Sequence, residues 1–330
     1  MNGAFVISLD FELYWGVRDS KSLEHYKENI LGVWEAMPRL LNLFSEFNIK
    51  ATFATVGLLT FDSKEALIAA IPEQLPHYTH DAYNWYPDYL TQVGSSEKED
   101  KLHFAPSLIQ QIHDAGVHEI CTHTFTHYYT LEEGAGIVSF KADLEAAKKR
   151  AHAMGIPMNT IIFPRNQYNS EYLNVCKEAG FIGFRGTEDS WLYKPLSRTK
   201  ESSWRRLLRL IDSYWNISGV HCYDWNEIKD PSGLYNIPAS RFLRPYPGKK
   251  LRFLERLRLK RITNAMTYAA MNGKIFHLWW HPHNFGKDIQ KNITFLRAIL
   301  EHQHTLYKVY GFESRTMNKC YSIINNYEQR

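Results

Sequence analysis

Short apolar runs alternate with longer amphipathic segments along most of the chain. Several runs are rich in β-branched and aromatic side chains, which is typical of strands buried in a sheet. They lie at residues 4–9, 51–56, 160–163, 180–185 and 273–280, with one more strand expected at the start of residues 116–128.

Other segments place an apolar side chain at every third or fourth position, which predicts amphipathic helices. These segments are residues 27–47, 106–115, 138–154, 170–179 and 288–306. Because strands and helices alternate, the pattern predicts parallel βαβ units and an α/β fold.

Three segments depart from this pattern. Pro38 lies inside the first helical segment, so we expect a kink there or two consecutive helices. Residues 72–103 and 195–248 have no clean period and contain several prolines, so we expect an insertion at each place. No repeat or flexible linker divides the chain, and one domain over residues 1–330 is the simpler interpretation.

Residues capable of chemistry follow the predicted strands. They are Asp10 and Glu12, His123 and His127, Arg165, Asp189 with Trp191, and His281 and His283. In parallel α/β barrels and open sheets the active site lies at the carboxyl ends of the strands. We therefore expect these side chains, which are far apart in sequence, to meet at one mouth of the fold.

His123 and His127 are the strongest candidates for metal ligands. At a separation of four residues, one helical turn would place both imidazoles on the same face, and zinc binds neutral imidazole readily. Alternatively, the spacing arises by chance in a chain with 15 histidines. His118 and Glu119 begin like the zincin motif, but Thr122 stands where its second histidine belongs, so that metalloprotease motif is absent.

Asp10 and Glu12 place two carboxylates on one face at the end of the first strand. Side chains alternate between faces along an extended backbone, so Phe11 points to the other side. Two neighbouring carboxylates are unfavourable away from water unless a cation lies near them, and a metal ion meets that need. The alternative is a solvated loop with ordinary acids.

The composition excludes some classes of protein but does not identify a function. The net charge of +4 argues against a whole-protein nucleic-acid binder. The four cysteines are widely spaced without a Cys-x-x-Cys pair, which fits reduced thiols in a cytoplasm. Because neither a signal-peptide pattern nor a bilayer-length apolar run is visible, we expect a cytoplasmic protein, or one peripheral to the inner membrane face.

Residues 241–261 contain nine basic residues and a single acid, Glu255. One interpretation is a surface for phosphate, carried by a nucleotide sugar or a lipid pyrophosphate, or for an anionic membrane. The interpretation that we favour is the solvated face of a helix whose other face packs on the core through Leu254, Leu257 and Ile262.

Taken together, these segments resemble the polysaccharide deacetylase family, the NodB-type carbohydrate esterases. Residues 117–127 are similar to that family's H-E-I-x-x-H-T-x-x-H block, which is the most specific match. Residues 8–12 resemble its first motif and residues 50–54 its second strand. Weaker similarities follow in chain order, at residues 164–165, 189–191 and 281–283.

The resemblance implies a distorted (β/α) barrel, commonly of seven strands, and a divalent metal, most often zinc, held by one carboxylate and two histidines. The family's first motif usually has two adjacent acids, whereas Phe11 occupies the second place here. Because Glu12 shares a strand face with Asp10, it is the residue that can take that place.

The resemblance also implies a role for each site residue. Glu12, His123 and His127 are expected to bind the metal, with Asp10 as general base, although the two acids could exchange roles. Arg165 is expected to hold Asp10 ionised. His281, or else His283, is expected to protonate the leaving group. Two further expectations are that Asp189 orients this histidine and that Trp191 forms a wall of the acetyl pocket.

The activity implied is a metal-dependent deacetylase that removes an acetyl group from an acetylated sugar. A cytoplasmic precursor, linked to a nucleotide or to a lipid carrier, fits the missing signal peptide, and a lipid-linked substrate would bring peripheral membrane contact. Two alternatives remain. One is an amidohydrolase that acts on a small non-sugar amide or ureide. The other is a catalytically inactive binding module on the same fold.

Overall fold

The computed structural model describes residues 1–328 and is organised around one central strand, β1 (Ala4–Phe11). All eight of its residues are buried, because β1 lies between two parallel neighbours and both of its faces are covered. These neighbours are β2 (Ala51–Thr55) and β8 (Ile275–Trp280).

The remaining strands extend this sheet on both sides. They are β3 (Glu119–Thr122), β4 (Thr160–Ile161), β5 (Gly183–Phe184), β6 (Tyr235–Asn236), β7 (Arg241–Phe242) and β9 (Glu313–Arg315). The order is β6-β5-β4-β3-β2-β1-β8-β7, every pairing is parallel, and β9 pairs with the first residues of β1. The predicted distorted (β/α) barrel is confirmed, as a curved, half-barrel sheet.

Eleven α-helices surround the sheet within residues 1–328. They are α1 (Leu23–Leu31), α2 (Val33–Glu46), α3 (Lys64–Ala69), α4 (Pro106–Asp114), α5 (Ile137–Ala153), α6 (Ser170–Glu178), α7 (Ser203–Asp212), α8 (Glu255–Met271), α9 (Pro282–Phe285), α10 (Ile289–Tyr310) and α11 (Met317–Glu328). None of the helices in this part of the chain combines the length and the apolar character that a membrane span requires.

The first helical segment forms two consecutive helices, which is one of the two expectations, but they are separated at Gly32 and not at Pro38. Pro38 lies within α2, which continues through it. A β-carbon on residue 32 would lie 1.9 Å from the carbonyl oxygen of Gly286, so the backbone approaches too closely for any other side chain. The helix is interrupted where two backbones touch, a constraint that residues 27–47 alone do not reveal.

The two faces of β1 pack against different partners. Phe5, Ile7, Leu9 and Phe11 face the main hydrophobic core under the helices. Ala4 and Val6 point into the curve of the sheet, in a second apolar cluster that α11 closes with Met317, Cys320 and Tyr321. The amino-terminal end of the barrel is therefore filled with apolar side chains.

A polar layer lies above this apolar layer. Ser8 and His277 share its centre, with Ser8 Oγ 2.8 Å from His277 Nε2 and 2.9 Å from a guanidinium nitrogen of Arg185. The other ring nitrogen of His277 lies 3.1 Å from the Ile237 carbonyl oxygen. Because all three polar side chains are fully buried, each depends on the others for hydrogen bonds.

The two segments without a sequence period differ in structure. Residues 72–103 contain two short 3₁₀ turns, Asp81–Tyr83 and Asp88–Gln92, and no strand of the sheet. Residues 195–248 contain α7 and also supply β6 and β7 to the sheet, which the sequence did not predict. The single-domain organisation with insertions remains a prediction.

The predicted solvated face at residues 241–261 is wrong for three arginines. Arg241, Arg258 and Arg261 are buried, whereas Leu257, expected in the core, is 38% exposed. Buried guanidinium groups need charged or carbonyl partners, and Arg241 and Arg261 share the carboxylate of Asp212. A count of charges cannot show such pairing, because Asp212 lies outside the basic segment.

The buried His277 predicts how stability depends on pH. Burial, followed by the nearby Arg185 charge, lowers the pKa of His277 to about 3, so the folded protein keeps this ring neutral. Between pH 6.5 and 3 the unfolded chain binds a proton that the folded chain does not, so acidification costs about 1.4 kcal/mol per pH unit from this group. In His277→Gln, the free energy of unfolding should change less with pH by this amount, which urea unfolding measured between pH 7 and 5 would show.

An exposed histidine provides the control for this measurement. His113 on α4 is exposed, and His113→Gln should leave the pH slope of the unfolding free energy unchanged. An identical slope in wild type and in His277→Gln would contradict the assignment of a neutral buried ring. The slope is the readout because the substitution also changes stability at every pH.

Candidate active site

Three loops that follow strands meet at the carboxyl edge of the sheet. Glu12, just beyond β1, places its Oε2 atom 2.9 Å from Nε2 of His127 and 3.4 Å from Nε2 of His123. His281 follows β8 and lies 3.7 Å from the other oxygen of Glu12. Residues more than 260 positions apart therefore share one site, as the strand-end pattern predicts.

His123 and His127 converge through a loop rather than through a helical turn. Thr124 and His127 have φ angles of 63° and 60°, so the backbone turns through left-handed conformations after β3. The buried Asp143 of α5 fixes this turn, because its carboxylate accepts hydrogen bonds from Phe125 N at 2.7 Å and Thr126 N at 3.0 Å. Asp143 lies mid-helix, so the strand-end pattern could not identify it.

The orientation of the His123 ring is fixed by a hydrogen bond to the backbone. Its Nδ1 lies 2.8 Å from the carbonyl oxygen of Ile162, which can only accept a hydrogen bond. Nδ1 therefore donates a hydrogen bond to this oxygen, which directs Nε2 towards Glu12. Burial lowers the pKa of His127, although its hydrogen bond with Glu12 acts in the opposite direction.

These three residues fit a divalent metal ion. Burial alone would raise the pKa of Glu12, but His281, His123 and His127 outweigh it and the pKa lies well below its usual range. An ionised carboxylate therefore faces the Nε2 atoms of His127 and His123, at 2.9 and 3.4 Å. Their ligand atoms lie within 4.8 Å of one another, and metal bonds of about 2.0–2.2 Å require such proximity. The set of two nitrogens and one oxygen suits zinc.

Gly16 makes room for the carboxylate of Glu12. A β-carbon at residue 16 would lie 2.0 Å from Cδ of Glu12 and 2.3 Å from its Oε2 atom. Only glycine leaves the carboxylate in its present position beside the two histidines. The turn after β1 therefore contributes to the site because Gly16 has no side chain.

The guanidinium that holds Asp10 belongs to Arg185, so the predicted pairing of Arg165 with Asp10 is wrong. Arg185 follows β5 and donates to both oxygens of Asp10, at 2.7 and 2.8 Å. It also donates to Asn166 Oδ1 at 2.8 Å. Burial alone would raise the pKa of Asp10, but Arg185, with His123 and His281, lowers it below its ordinary value.

Arg165 lines the same cleft but binds other carboxylates. Its guanidinium pairs with Asp19 and, at 3.4 Å, with Glu132. It also lies 4.0 Å from the ring centre of Tyr129, whose hydroxyl is 3.2 Å from Nδ1 of His127. Arg165 therefore contacts the site through Tyr129 rather than through Asp10.

His281 and His283 stack at 4.9 Å between ring centres, but only one is open to the cleft. Nε2 of His281 lies 3.8 Å from Asp10 Oδ2, and the side chain is 22% exposed. His283 is buried, and burial, with the His281 charge, lowers its pKa to about 3. His281 is thus the histidine that can exchange protons with a bound molecule.

The predicted roles of Asp189 and Trp191 are wrong. The ring of His281 is positioned by Asn284, whose Oδ1 lies 3.3 Å from Nδ1, and no contact joins it to Asp189 in the structure as described. The amide of Asp189 instead lies 3.3 Å from the hydroxyl of Tyr223. Trp191 is 63% exposed, and the tryptophan that lines the cleft is Trp279.

Comparisons with known proteins agree with this geometry. The sequence model described as polysaccharide deacetylase matches residues 32–183. No curated protein sequence matches the chain significantly. The resemblance to the polysaccharide deacetylase family is confirmed.

Solved structures support the same conclusion at the level of the fold. A Mycobacterium smegmatis protein assigned to the polysaccharide deacetylases is 15% identical, with a TM-score of 0.59 over 99% of this chain and 91% of that chain. A Pseudomonas aeruginosa PAO1 protein with the same assignment is 13% identical, with a TM-score of 0.54 over 97% and 89%. The allantoinase Puue is 13% identical, with a TM-score of 0.53 over 97% and 89%.

The match to the polysaccharide deacetylase model covers slightly less than half of the chain, and the solved structures show the likeness of the fold. Polysaccharide deacetylases generally depend on a metal, and Glu12, His123 and His127 form a group that could hold one. The matched residues 32–183 contain both histidines but neither Asp10, Glu12 nor Arg185. The acidic half of the site is therefore identified by geometry rather than by the family match.

The ion pair between Arg185 and Asp10 predicts a large energetic coupling. Removing one partner of a buried pair leaves an uncompensated charge, so Arg185→Met should lower the free energy of unfolding by about 3–5 kcal/mol. In a double-mutant cycle on the metal-free protein, Arg185→Met and Asp10→Asn should couple by about 1–3 kcal/mol.

Arg165 is the matched control for this cycle. Arg165→Met and Asp10→Asn should be additive within about 0.5 kcal/mol, because Arg165 pairs with Asp19 and Glu132. Strong coupling of Asp10 to Arg165 and none to Arg185 would contradict the geometry described above.

Proposed function

We propose that this protein is a metal-dependent deacetylase that acts on an acetylated sugar precursor linked to a nucleotide or to a lipid carrier. The proposal rests on the observation that two neighbouring carboxylates have different partners. Glu12 faces two imidazoles, whereas both oxygens of Asp10 are bound by Arg185. Two acids in different environments can perform different roles.

Glu12, His123 and His127 are the residues that would hold the metal, most simply zinc. A divalent cation at such a site supplies a Lewis acid for the acetyl carbonyl and lowers the pKa of water to about 7. The chain supplies the rest. The bond from Ile162 to His123 and the space left by Gly16 fix the ligand atoms before any substrate binds.

Asp10 and His281 are the proton carriers in this proposal. Asp10 Oδ2 receives the proton of the attacking water, and Arg185 keeps the carboxylate ionised and oriented for it. Nε2 of His281, 3.8 Å from Asp10 Oδ2, then gives a proton to the departing amine or alcohol. Both steps occur on the open side of the site, which Trp279 and Phe242 line.

Peripheral contact with an anionic membrane, on the cytoplasmic side, belongs to the same proposal. The helix α7 buries none of its apolar side chains, and Trp204 and Leu207 are 73% and 43% exposed. Asp212 at its end lies 3.8 Å from Arg261 of α8. Phe253, 68% exposed and next to Arg252, precedes α8. Exposed aromatic and aliphatic side chains beside basic ones are typical of helices that lie in a membrane interface.

Metal content and turnover test the catalytic proposal. His123→Ala and His127→Ala should each lose zinc measured per chain, because each removes a ligand from a three-residue site. Asp10→Asn should keep its zinc and lose about 10²–10⁴-fold in acetate release, the range for a general base. His113→Ala, on an exposed surface, is the control for both measurements.

Two outcomes would contradict this assignment. Wild-type zinc content in both histidine variants would exclude the proposed ligands. Zinc kept by Glu12→Gln but lost by Asp10→Asn would show that the two acids have opposite roles.

Product analysis separates the proposal from the alternatives. Acetate released from acetylated nucleotide sugars or lipid-linked sugars supports the deacetylase. Ring opening of cyclic amides or ureides without acetate release supports an amidohydrolase. An inactive binding module need not hold stoichiometric zinc, so metal analysis distinguishes it from both enzymes.

Vesicle sedimentation tests the membrane contact. The double variant Trp204→Ser and Leu207→Ser should weaken binding to phosphatidylglycerol vesicles by about tenfold or more, because burial of apolar area drives such binding. Val138→Ser is the control, since Val138 is 68% exposed on a different helix. Equal binding by wild type and the double variant would exclude α7 as the contact.

A further inference from the structure

A second cavity opens directly beside the proposed catalytic centre. Its volume is about 590 Å³, and it continues from the smaller cavity of about 350 Å³ that contains Asp10 and Glu12. Trp279, His281 and Phe242 line both spaces. A molecule whose reacting group lies at His281 therefore extends into the larger cavity.

Basic side chains dominate the wall of the larger cavity. Some of them are neutralised by carboxylates of the protein. Arg165 and Arg198 share the carboxylate of Asp19. Arg209 donates to Glu201 at 2.7 Å. The charges of these three arginines are therefore paired with carboxylates of the protein and are less available to a bound anion.

Four other cations of the wall have no carboxylate partner among residues 1–328. They are Lys21, Lys194, Arg206 and Arg244. Arg244 is the least solvated of them, since it is half-buried, and its nearest recorded partner is the ring of Phe242 at 5.9 Å. Burial lowers the pKa of Arg244, which reflects a charge withdrawn from water without a counter-ion.

The acidic residues of the wall do not balance these charges. Glu201 already pairs with Arg209 and, at 3.6 Å, with Arg205. Glu188 is buried, and its carboxylate interacts with the charges of Arg241 and Arg185, which oppose the rise of its pKa to about 6 on burial. The cavity therefore presents guanidinium and ammonium groups without a carboxylate partner in the described part of the chain. Lys21, Lys194 and Arg206 are exposed to solvent, whereas Arg244 is half-buried, and a charge withdrawn from water is stabilised when an anion binds it.

The number of cations around the cavity favours an anion with several charged oxygens, such as a diphosphate. Arg206 and Arg209 lie on the side of α7 opposite to Trp204 and Leu207, so one helix carries cations into the cavity and apolar side chains to the outside. Arginine binds phosphate oxygens through two parallel hydrogen bonds, and lysine adds a point charge. Four such donors around one space match the several oxygens of a diphosphate.

We propose that the cavity lined by Lys21, Lys194, Arg206 and Arg244 is a diphosphate-binding subsite for the sugar substrate. The identity of the bound molecule as substrate rests on the proposed deacetylase function, but the binding of a diphosphate does not. A nucleoside diphosphate sugar and a polyprenyl diphosphate sugar share this group. The subsite positions the sugar by its diphosphate so that the acetyl group reaches the centre at Glu12 and His281.

Inorganic pyrophosphate is the direct probe of the subsite. Calorimetry on the full-length protein should show binding that weakens as salt is raised, because screening reduces the attraction between charges. Arg244→Gln and Arg206→Gln should each raise the Kd by about ten- to hundredfold, as expected for one charged hydrogen-bonding group. Arg39→Gln, on the exposed surface of α2, should leave the Kd unchanged.

Two results would overturn the subsite. One is a wild-type protein that does not bind pyrophosphate. The other is equal binding by wild type and by both cavity variants. Arg244→Lys keeps the charge and should recover part of the affinity. A general loss of folding in Arg244→Gln would be recognised by its circular dichroism and by the failure of this rescue.

Activity measurements then separate the subsite from the proposed function and identify the carrier. In Arg244→Gln, kcat/KM should fall about tenfold or more for an N-acetylhexosamine carried on a diphosphate, and much less for its neutral methyl glycoside. Preference for the nucleoside or the polyprenyl diphosphate form identifies the source of the group. Pyrophosphate binding that depends on Arg244, with no acetate released from any substrate, would uphold the subsite and refute the deacetylase. Equal losses for the charged and neutral substrates would refute the subsite.

Discussion

The site depends on one ion pair buried at the centre of the barrel. Arg185 is fully buried and Asp10 is 3% exposed, and the two meet through a pair of hydrogen bonds at 2.7 and 2.8 Å. Away from water neither charge is stable alone, so each fixes the position of the other. The same guanidinium reaches Ser8 and Asn166 and lies 4.2 Å from the ring centre of Trp279. One side chain therefore ties β1, β5 and β8 together beneath the cleft.

This ion pair distinguishes two carboxylates that are only two residues apart. Asp10 is saturated by a permanent cation, whereas Glu12 is left facing two imidazole nitrogens. The apolar layer closed by α11 excludes water from below, so the electrostatics of the site are set by these few groups. Above it, cations line the wider cavity. Charge is thus arranged in depth, from the carboxylate and imidazoles of the proposed metal site to the cations of the proposed diphosphate subsite.

The strand-end pattern predicted most of the site because parallel strands share one edge. It placed Asp10, Glu12, His123, His127 and His281 correctly at that edge. It could not choose between two arginines that each follow a strand. Arg185 extends β5 and points inward, whereas Arg165 lies in a turn with φ of 54° and points towards Asp19. The break at Gly32 and the pairing of Asp212 with buried arginines also depend on contacts between distant segments.

Anomalous diffraction from crystals loaded with zinc tests the division between the two acids most directly. The account predicts one strong peak bonded to Glu12, His123 and His127, with both oxygens of Asp10 still on Arg185. A peak bonded to Asp10 with Arg185 displaced, or no peak near these residues, would contradict it.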